Sequence, residues 1–313
     1  MHPLIAVVGP TGSGKSPLGV TLATEFAGEI VNYDSVQVHC GLDIGSAKTP
    51  LDQRRAIPHH MLDVIPPQAE LTAGAYARAA HVVLQRLRER NTLPILVGGT
   101  GFYLRALLDG LSPAPERDPD LRLRLSRLET RRPGALYRFL ARYDPTAARH
   151  IHPNDVQKLM RAVEMTINAG QAASEIQRGR RTALTGFRVL KLGLAPRRED
   201  LRRHIDARTV QMFASGLVEE ARALIEAGCP PSSKALQSLG YRQAVQTLSG
   251  EITFAKAVED CQLKTGQYAK RQMTWFRRDT GIHWLSGFGT DPSVQRSAID
   301  LARDWLRTPI AVR

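Results

Sequence analysis

The stretch Gly9-Pro10-Thr11-Gly12-Ser13-Gly14-Lys15-Ser16 limits what this chain can fold into more than any other. It follows the apolar run Leu4-Ile5-Ala6-Val7-Val8 and precedes a helical pattern beginning near Pro17, so it reads as strand, phosphate-binding loop, helix. Glycines let the backbone fold round an anion with consecutive N–H groups pointing inward. Lys15 adds a point charge, and the helix N-terminus adds its partial positive charge. Ser16 stands where a hydroxyl can hold Mg²⁺. The ligand expected from these residues is a di- or triphosphate.

Beyond the loop, short apolar runs alternate with helical patterns. Residues 29–33 form a second strand, with Asp34-Ser35-Val36-Gln37 just past its end, where an open parallel sheet gathers its ligand crevice. An acid there can order Mg²⁺, take a proton from an incoming nucleophile, or cap a helix. Residues 41–48 make a glycine-punctuated loop ending in Lys48, a candidate second anion contact. Residues 58–65 give a third strand, residues 72–90 a helix, and Leu93-Pro94-Ile95-Leu96-Val97 another strand that runs into Gly98-Gly99-Thr100. A phosphate-hydrolysing or phosphoryl-transferring enzyme usually places a carboxylate at such a strand end. This one offers two glycines, which permit close backbone approach, and a threonine hydroxyl.

From about residue 111 the strand pattern gives way to helical text, opened by Ser112-Pro113-Ala114-Pro115 and closed by Arg178-Gly179-Arg180-Arg181. The expected division is a core of residues 1–112 plus 187–313 and an inserted helical subdomain at 113–186. Between Glu116 and Arg181, thirteen arginines and one lysine stand against eight acids. That excess suits an arm lying along a nucleic-acid backbone. Gln157, Lys158 and Arg161 fall on one helical face within it. Residues 187–194 return to strand, residues 197–227 read as one helical stretch carrying His204 and Arg208, and residues 282–285 form a last strand. Two further stretches, residues 237–243 and 265–278, interleave aromatics with glutamine and basic residues, a mixture suited to unpaired bases and phosphates, although Tyr268, Trp275 and Phe276 can equally be core. The fold class expected is α/β: a P-loop NTPase-like parallel sheet flanked by helices, with an inserted all-helical subdomain.

Composition narrows the function classes. The net charge is +13, and 35 of the 43 basic residues are arginine, which favours bidentate phosphate contacts and points to a polyanionic partner. No apolar run is as long as a membrane span, and the chain enters its first strand without a charged and apolar leader, so a cytoplasmic protein is expected. The three isolated cysteines suggest neither a disulfide framework nor a zinc site.

Taken together, these motifs resemble the bacterial tRNA dimethylallyltransferase family. The resemblance runs from Gly9 to Arg278 through G-P-T-G-S-G-K-S, D-S-V-Q-V, G-x-D-I-G-S-A-K, P-H-H-x-L-D, G-G-T-G-F-Y, H-P-N-D-x-Q-K-L-x-R-A-x-E, L-G-Y-R-Q and A-K-R-Q-x-T-W-F-R. It implies transfer of a dimethylallyl group from dimethylallyl diphosphate to N6 of the adenosine 3′ to the anticodon, with Mg²⁺, by a monomeric enzyme. By the same resemblance Asp34 is the general base, Thr100 lies in the channel between the substrates, and Lys15, Ser16 with Mg²⁺ and Arg208 neutralise the departing pyrophosphate. It places contacts to the tRNA anticodon stem-loop at Asp34, Ser35, Val36, Gln37, Thr100, Arg122, Gln157, Lys158, Leu159, Met160, Arg161, Gln237, Ser238, Leu239, Gly240, Tyr241 and Arg242. Two positions depart from the family pattern: His204 stands where an arginine is common, and Pro17 removes a backbone donor directly after Ser16. The phosphate loop alone allows a different reaction class, a small kinase acting on a nucleotide or metabolite.

Overall fold

The computed structural model describes residues 1–179 and 182–308, and divides into two compact units, Met1–Leu108 with Leu184–Arg313, and Asp109–Ala183. Arg180 and Arg181, expected to close the insertion, lie outside the described residues. No helix among the described residues is long and apolar enough to cross a membrane.

The first unit is built on six parallel strands. In chain order they and their helices are β1 (His2–Val8), α1 (Lys15–Glu25), β2 (Glu29–Asn32), β3 (His59–His60), α2 (Ala73–Glu89), β4 (Pro94–Val97) and α3 (Gly101–Leu108). The second unit contributes α4 (Pro119–Arg131), α5 (Ala135–Tyr143), α6 (Pro145–His150), α7 (Val156–Ala169) and α8 (Ala173–Arg178). The chain then returns to the first unit as β5 (Phe187–Leu194), α9 (Arg198–Ala214), α10 (Leu217–Glu226), α11 (Tyr241–Leu248), α12 (Phe254–Phe276), β6 (Ile282–Leu285) and α13 (Pro292–Arg307). The sheet order is β3-β2-β4-β1-β5-β6.

Leu4 through Val8 are wholly buried, as a central parallel strand covered on both faces requires. Register decides where chemistry can gather: Val7 pairs with Val97, and Asn32 also pairs with Val97. The residues that follow these partners, the phosphate loop, Asp34 and Gly98-Gly99-Thr100, therefore leave the sheet together at its carboxyl edge. Gly98 is held to glycine by this approach, because a Cβ there would lie 2.5 Å from the Tyr33 backbone carbon.

Two elements differ from the sequence reading. The third strand is only His59–His60, since Met61 (φ 61°) and Asp63 (φ 52°) take left-handed backbone, and extended pairing reappears only as an isolated bridge between His39 and Ile65. The helical stretch expected over 197–227 breaks into α9 and α10 at Gly216, whose φ of 98° no right-handed helix can contain. A second apolar cluster forms around α10–α12, with Leu42, Phe213, Leu217, Leu236 and Tyr241 at its centre.

The second unit has its own core, including Leu121, Leu125, Leu136, Leu140, Leu159 and Met160. Inside it, Glu164 is fully buried and receives Arg161 (2.6 Å), Arg122 (3.2 Å) and the Asp118 backbone N–H (2.8 Å). A carboxylate taken from water holds only when its partners neutralise it, and removing it leaves two half-buried guanidiniums uncompensated. Glu164→Ala is therefore expected to destabilise this unit by about 3–5 kcal/mol. Chemical denaturation checks it; a change under about 1 kcal/mol would show that solvent already screens the two arginines.

Candidate active site

The phosphate loop closes between β1 and α1. Gly12 (φ 80°) and Gly14 (φ 85°) supply left-handed turns, and the backbone after β6 braces the loop through the Gly289 N–H donating to the Ser13 carbonyl at 2.9 Å. A Cβ on Gly14 would sit 2.9 Å from Gly289 N, so the loop and its brace touch backbone to backbone. Lys15 Nζ donates to the carbonyls of Gly9 (3.1 Å) and Pro10 (2.8 Å). Burial lowers its pKa to about 8, with Asp34 pulling it back up and Arg208 pushing it further down.

Arg208 reaches the loop from α9. One terminal nitrogen donates to Thr11 Oγ1 at 3.0 Å, while Nε is buried without a hydrogen-bond partner. Burial also lowers the Arg208 pKa. One turn earlier, His204 lies beside Gly12 and leans on Phe288 with ring centroids 5.3 Å apart; burial first, then Arg208, lowers its pKa and favours the neutral imidazole. Beside Pro10 runs a cavity of about 690 Å³ with an apolar floor that includes Leu201, Ile205 and Met273 and cationic side chains that include Lys270 and Arg277.

The opposite side of the crevice is built on Asp34. Its Oδ1 accepts the N–H groups of Val36 (2.9 Å) and Gln37 (3.4 Å), so the carboxylate caps the turn that follows β2. The second oxygen, Oδ2, faces Gly99, where a Cβ would come within 2.8 Å of it. The two carboxylate oxygens thus have different surroundings, one capping the turn and the other facing the end of β4. Thr100 Oγ1 donates to Ser35 Oγ (3.0 Å) and accepts the Ser35 N–H (2.9 Å), tying the ends of β2 and β4 together. Tyr268 and Gln272, four residues apart on α12, both donate to the Gly99 carbonyl, at 3.3 and 2.7 Å. Burial, then the charge of Asp34, raises the Tyr268 pKa, keeping that phenol a hydrogen-bond donor. The arrangement can hold a diphosphate on one side and remove a proton on the other.

A family model described as IPP transferase matches residues 37–279. The chain belongs to this family. It is 49% identical to the tRNA dimethylallyltransferase of Solibacter usitatus, over 97% of this chain and 99% of that one. It is also 49% identical to that of Koribacter versatilis, over 96% and 98%. Its fold is similar to the crystal structure of a tRNA isopentenylpyrophosphate transferase from Bacillus halodurans, with a TM-score of 0.72, 30% identity and coverage of 98% and 96%. A eukaryotic dimethylallyltransferase crystallised while acting on tRNA gives a TM-score of 0.85 at 28% identity, over 100% of this chain and 82% of that one. An IPP transferase is an enzyme that transfers a group, and the kinase alternative is set aside.

Not every residue expected at the site has a side chain free to act there. Lys48 is buried, with Nζ between Asp43 and Asp63 at 2.5 Å each and on the His39 carbonyl at 3.1 Å, so two carboxylates neutralise the charge expected to meet an anion. Tyr241 is fully buried, and its hydroxyl donates to Glu220, which also accepts the N–H groups of Asp43 (3.1 Å) and Ile44 (2.9 Å). It supports the 41–48 loop from the core rather than offering a ring to a base. Gly240 is buried as its neighbour, while Gln237 and Arg242 are exposed and Ser238 and Leu239 half-buried. Gln37 donates to the carbonyls of Ser46 (3.0 Å) and Ala47 (3.3 Å), holding the same loop from the other side.

In the second unit, Leu159 and Met160 are core, whereas Gln157 and Lys158 are exposed and Arg161 is half-buried beside Glu164. Of the aromatics on α12, Phe276 is core, and Tyr268 and Trp275 are half-buried. Sequence reasoning missed Gln272 and Glu220. Gln272 stood in the 265–278 stretch and in A-K-R-Q-x-T-W-F-R, read there as suited to bases and phosphates and not as a link inside the site; Glu220 carried no signal.

Proposed function

We propose that the enzyme transfers a dimethylallyl group from dimethylallyl diphosphate to N6 of the adenosine 3′ to the anticodon of tRNA, acting as a cytoplasmic monomer. The observation that carries this reading is the pairing, at one sheet edge, of a diphosphate cradle with a carboxylate whose Oδ2 faces the buried Gly99, while the end of β4 offers no acid for activating water. In the reaction the C–O bond to the diphosphate breaks and a C–N bond to N6 forms. Asp34 Oδ2 takes the N6 proton, and pyrophosphate leaves carrying the negative charge. Lys15 and Arg208 face that leaving group, so the main electrostatic work is on the donor side.

The donor set suits Mg²⁺ only in company with the diphosphate. Ser16 supplies one hydroxyl, and no cluster of three or more His, Cys, Asp or Glu side chains among the described residues could hold an ion alone. When bound, Mg²⁺ would share in neutralising the pyrophosphate. The adenine must leave its stack to reach Asp34, at a cost of roughly a few kcal/mol offset by contacts from exposed residues such as Gln157, Lys158 and Arg242.

Incubating the protein with Mg²⁺, dimethylallyl diphosphate and tRNA lacking the modification, then weighing the digested nucleosides, tests the reading. An isopentenyl-adenosine peak is expected, and its absence with active tRNA would overturn it. Arg208→Ala should lower kcat/KM for the diphosphate by about tenfold to a hundredfold, the loss typical of a hydrogen bond to a charged group, with little change in KM for tRNA. Unchanged donor kinetics would leave Arg208 only the task of holding Thr11.

A further inference from the structure

Gln272 is buried on α12 and touches both sides of the crevice at once. Its Oε1 accepts the Thr11 N–H at 2.7 Å, and its Nε2 donates to the Gly99 carbonyl at 2.7 Å. Neither partner is secured by a strand ladder or a helix: Thr11 lies in the phosphate loop before α1, and Gly99 lies between β4 and α3. Both partners also lead directly to chemistry. Thr11 receives Arg208 on its hydroxyl, and the position a Cβ would take on Gly99 is 2.8 Å from Asp34 Oδ2 and 3.1 Å from Gln272 Nε2.

We propose that Gln272 is a positioning residue for the transfer reaction, a strut that sets the separation between the loop holding the diphosphate and the edge carrying Asp34 and Thr100. The inference rests on the prenyl-transfer reading. A carbon that passes from a diphosphate oxygen to an amine nitrogen must find its acceptor in line and about 3–3.5 Å away, and a misplacement of about 1 Å costs on the order of 10²-fold in rate. A primary amide fits this task for a specific reason. It supplies one acceptor and one donor, and adds no charge beside Lys15 and Asp34. Methionine has a similar reach but bridges neither group. An ionised glutamate can accept from Thr11 but cannot donate to Gly99, whereas a protonated glutamate restores both bonds.

The experiment uses the wild-type protein, Gln272→Met and Gln272→Glu, with dimethylallyl diphosphate and unmodified tRNA. Wild type must first give isopentenyl-adenosine; its failure would sink the prenyl-transfer reading and not the strut. For the Met variant we expect a single-turnover rate about 10²-fold lower, with the dissociation constants for donor and tRNA within about threefold of wild type. For the Glu variant the rate relative to wild type should climb as pH is lowered from about 8.5 to about 6, because the protonated acid reproduces the amide. A Met variant that turns over within about threefold of wild type would overturn the proposal. So would a loss confined to affinity and thermal stability. Should the Met variant fail to fold, the Glu variant still decides, since a low ratio that stays flat with pH contradicts the strut.

Discussion

Asp34→Asn is expected to lower the single-turnover rate by about 10²–10⁴-fold, the usual contribution of a positioned general base. Asparagine is the informative substitution because Asp34 caps a turn and is proposed to act as the base as well. Its Oδ1 caps the turn at Val36 and Gln37, and an asparagine oxygen can keep those bonds; Oδ2, which faces Gly99, becomes an amide that cannot take a proton. Asp34→Ala removes both functions, so the difference between the two variants measures the cap, worth about 1 kcal/mol. Affinity for tRNA should change little in the Asn variant, since the turn carrying Ser35 to Gln37 is preserved. Rapid-quench kinetics with saturating substrates checks the rate. An Asn variant retaining more than about a tenth of the wild-type rate would remove Asp34 from the base role and leave it as a cap.

What the sequence made legible follows from how local each feature is. The phosphate loop depends on backbone turns that glycine alone adopts freely, so its residues announced it, and Asp34 and Thr100 could be placed at the carboxyl edge of the sheet because each lies within three residues of the end of a readable strand. The order of strands was not written anywhere local, because crossovers depend on packing between distant segments. Lys48 misled for a related reason. A lysine ending a glycine-rich loop looks available until Asp43 and Asp63, one of them in a turn that the strand reading had hidden, are folded onto it. Tyr241, Leu159 and Met160 were carried in with motifs whose neighbours face outward, and motif membership does not separate the face of a helix that meets the core from the face that meets solvent. Gln272 reaches Thr11 and Gly99, and Glu220 reaches Asp43 and Ile44, all more than 170 positions away, and a single sequence holds no mark of such pairings.

Lys15→Ala should lower kcat/KM for dimethylallyl diphosphate by about 10²–10³-fold, since it removes a half-buried cation that is proposed to face the group on which negative charge develops. The pH profile gives this prediction a second edge. Burial depresses the Lys15 pKa to about 8, so the charged form predominates below that pH and is lost above it. Wild-type kcat/KM for the diphosphate, which reports the free enzyme, is therefore expected to fall as pH rises through about 8. The profile of kcat should stay flat further, because a bound diphosphate stabilises the ammonium and moves its titration upward. In Lys15→Ala the alkaline fall near that pH should disappear; its persistence would assign the limb to another group. Both effects have one origin. The desolvation that makes Lys15 costly to charge is also what strengthens its attraction to a diphosphate, so an enzyme using such a lysine for a leaving group gives up activity at high pH.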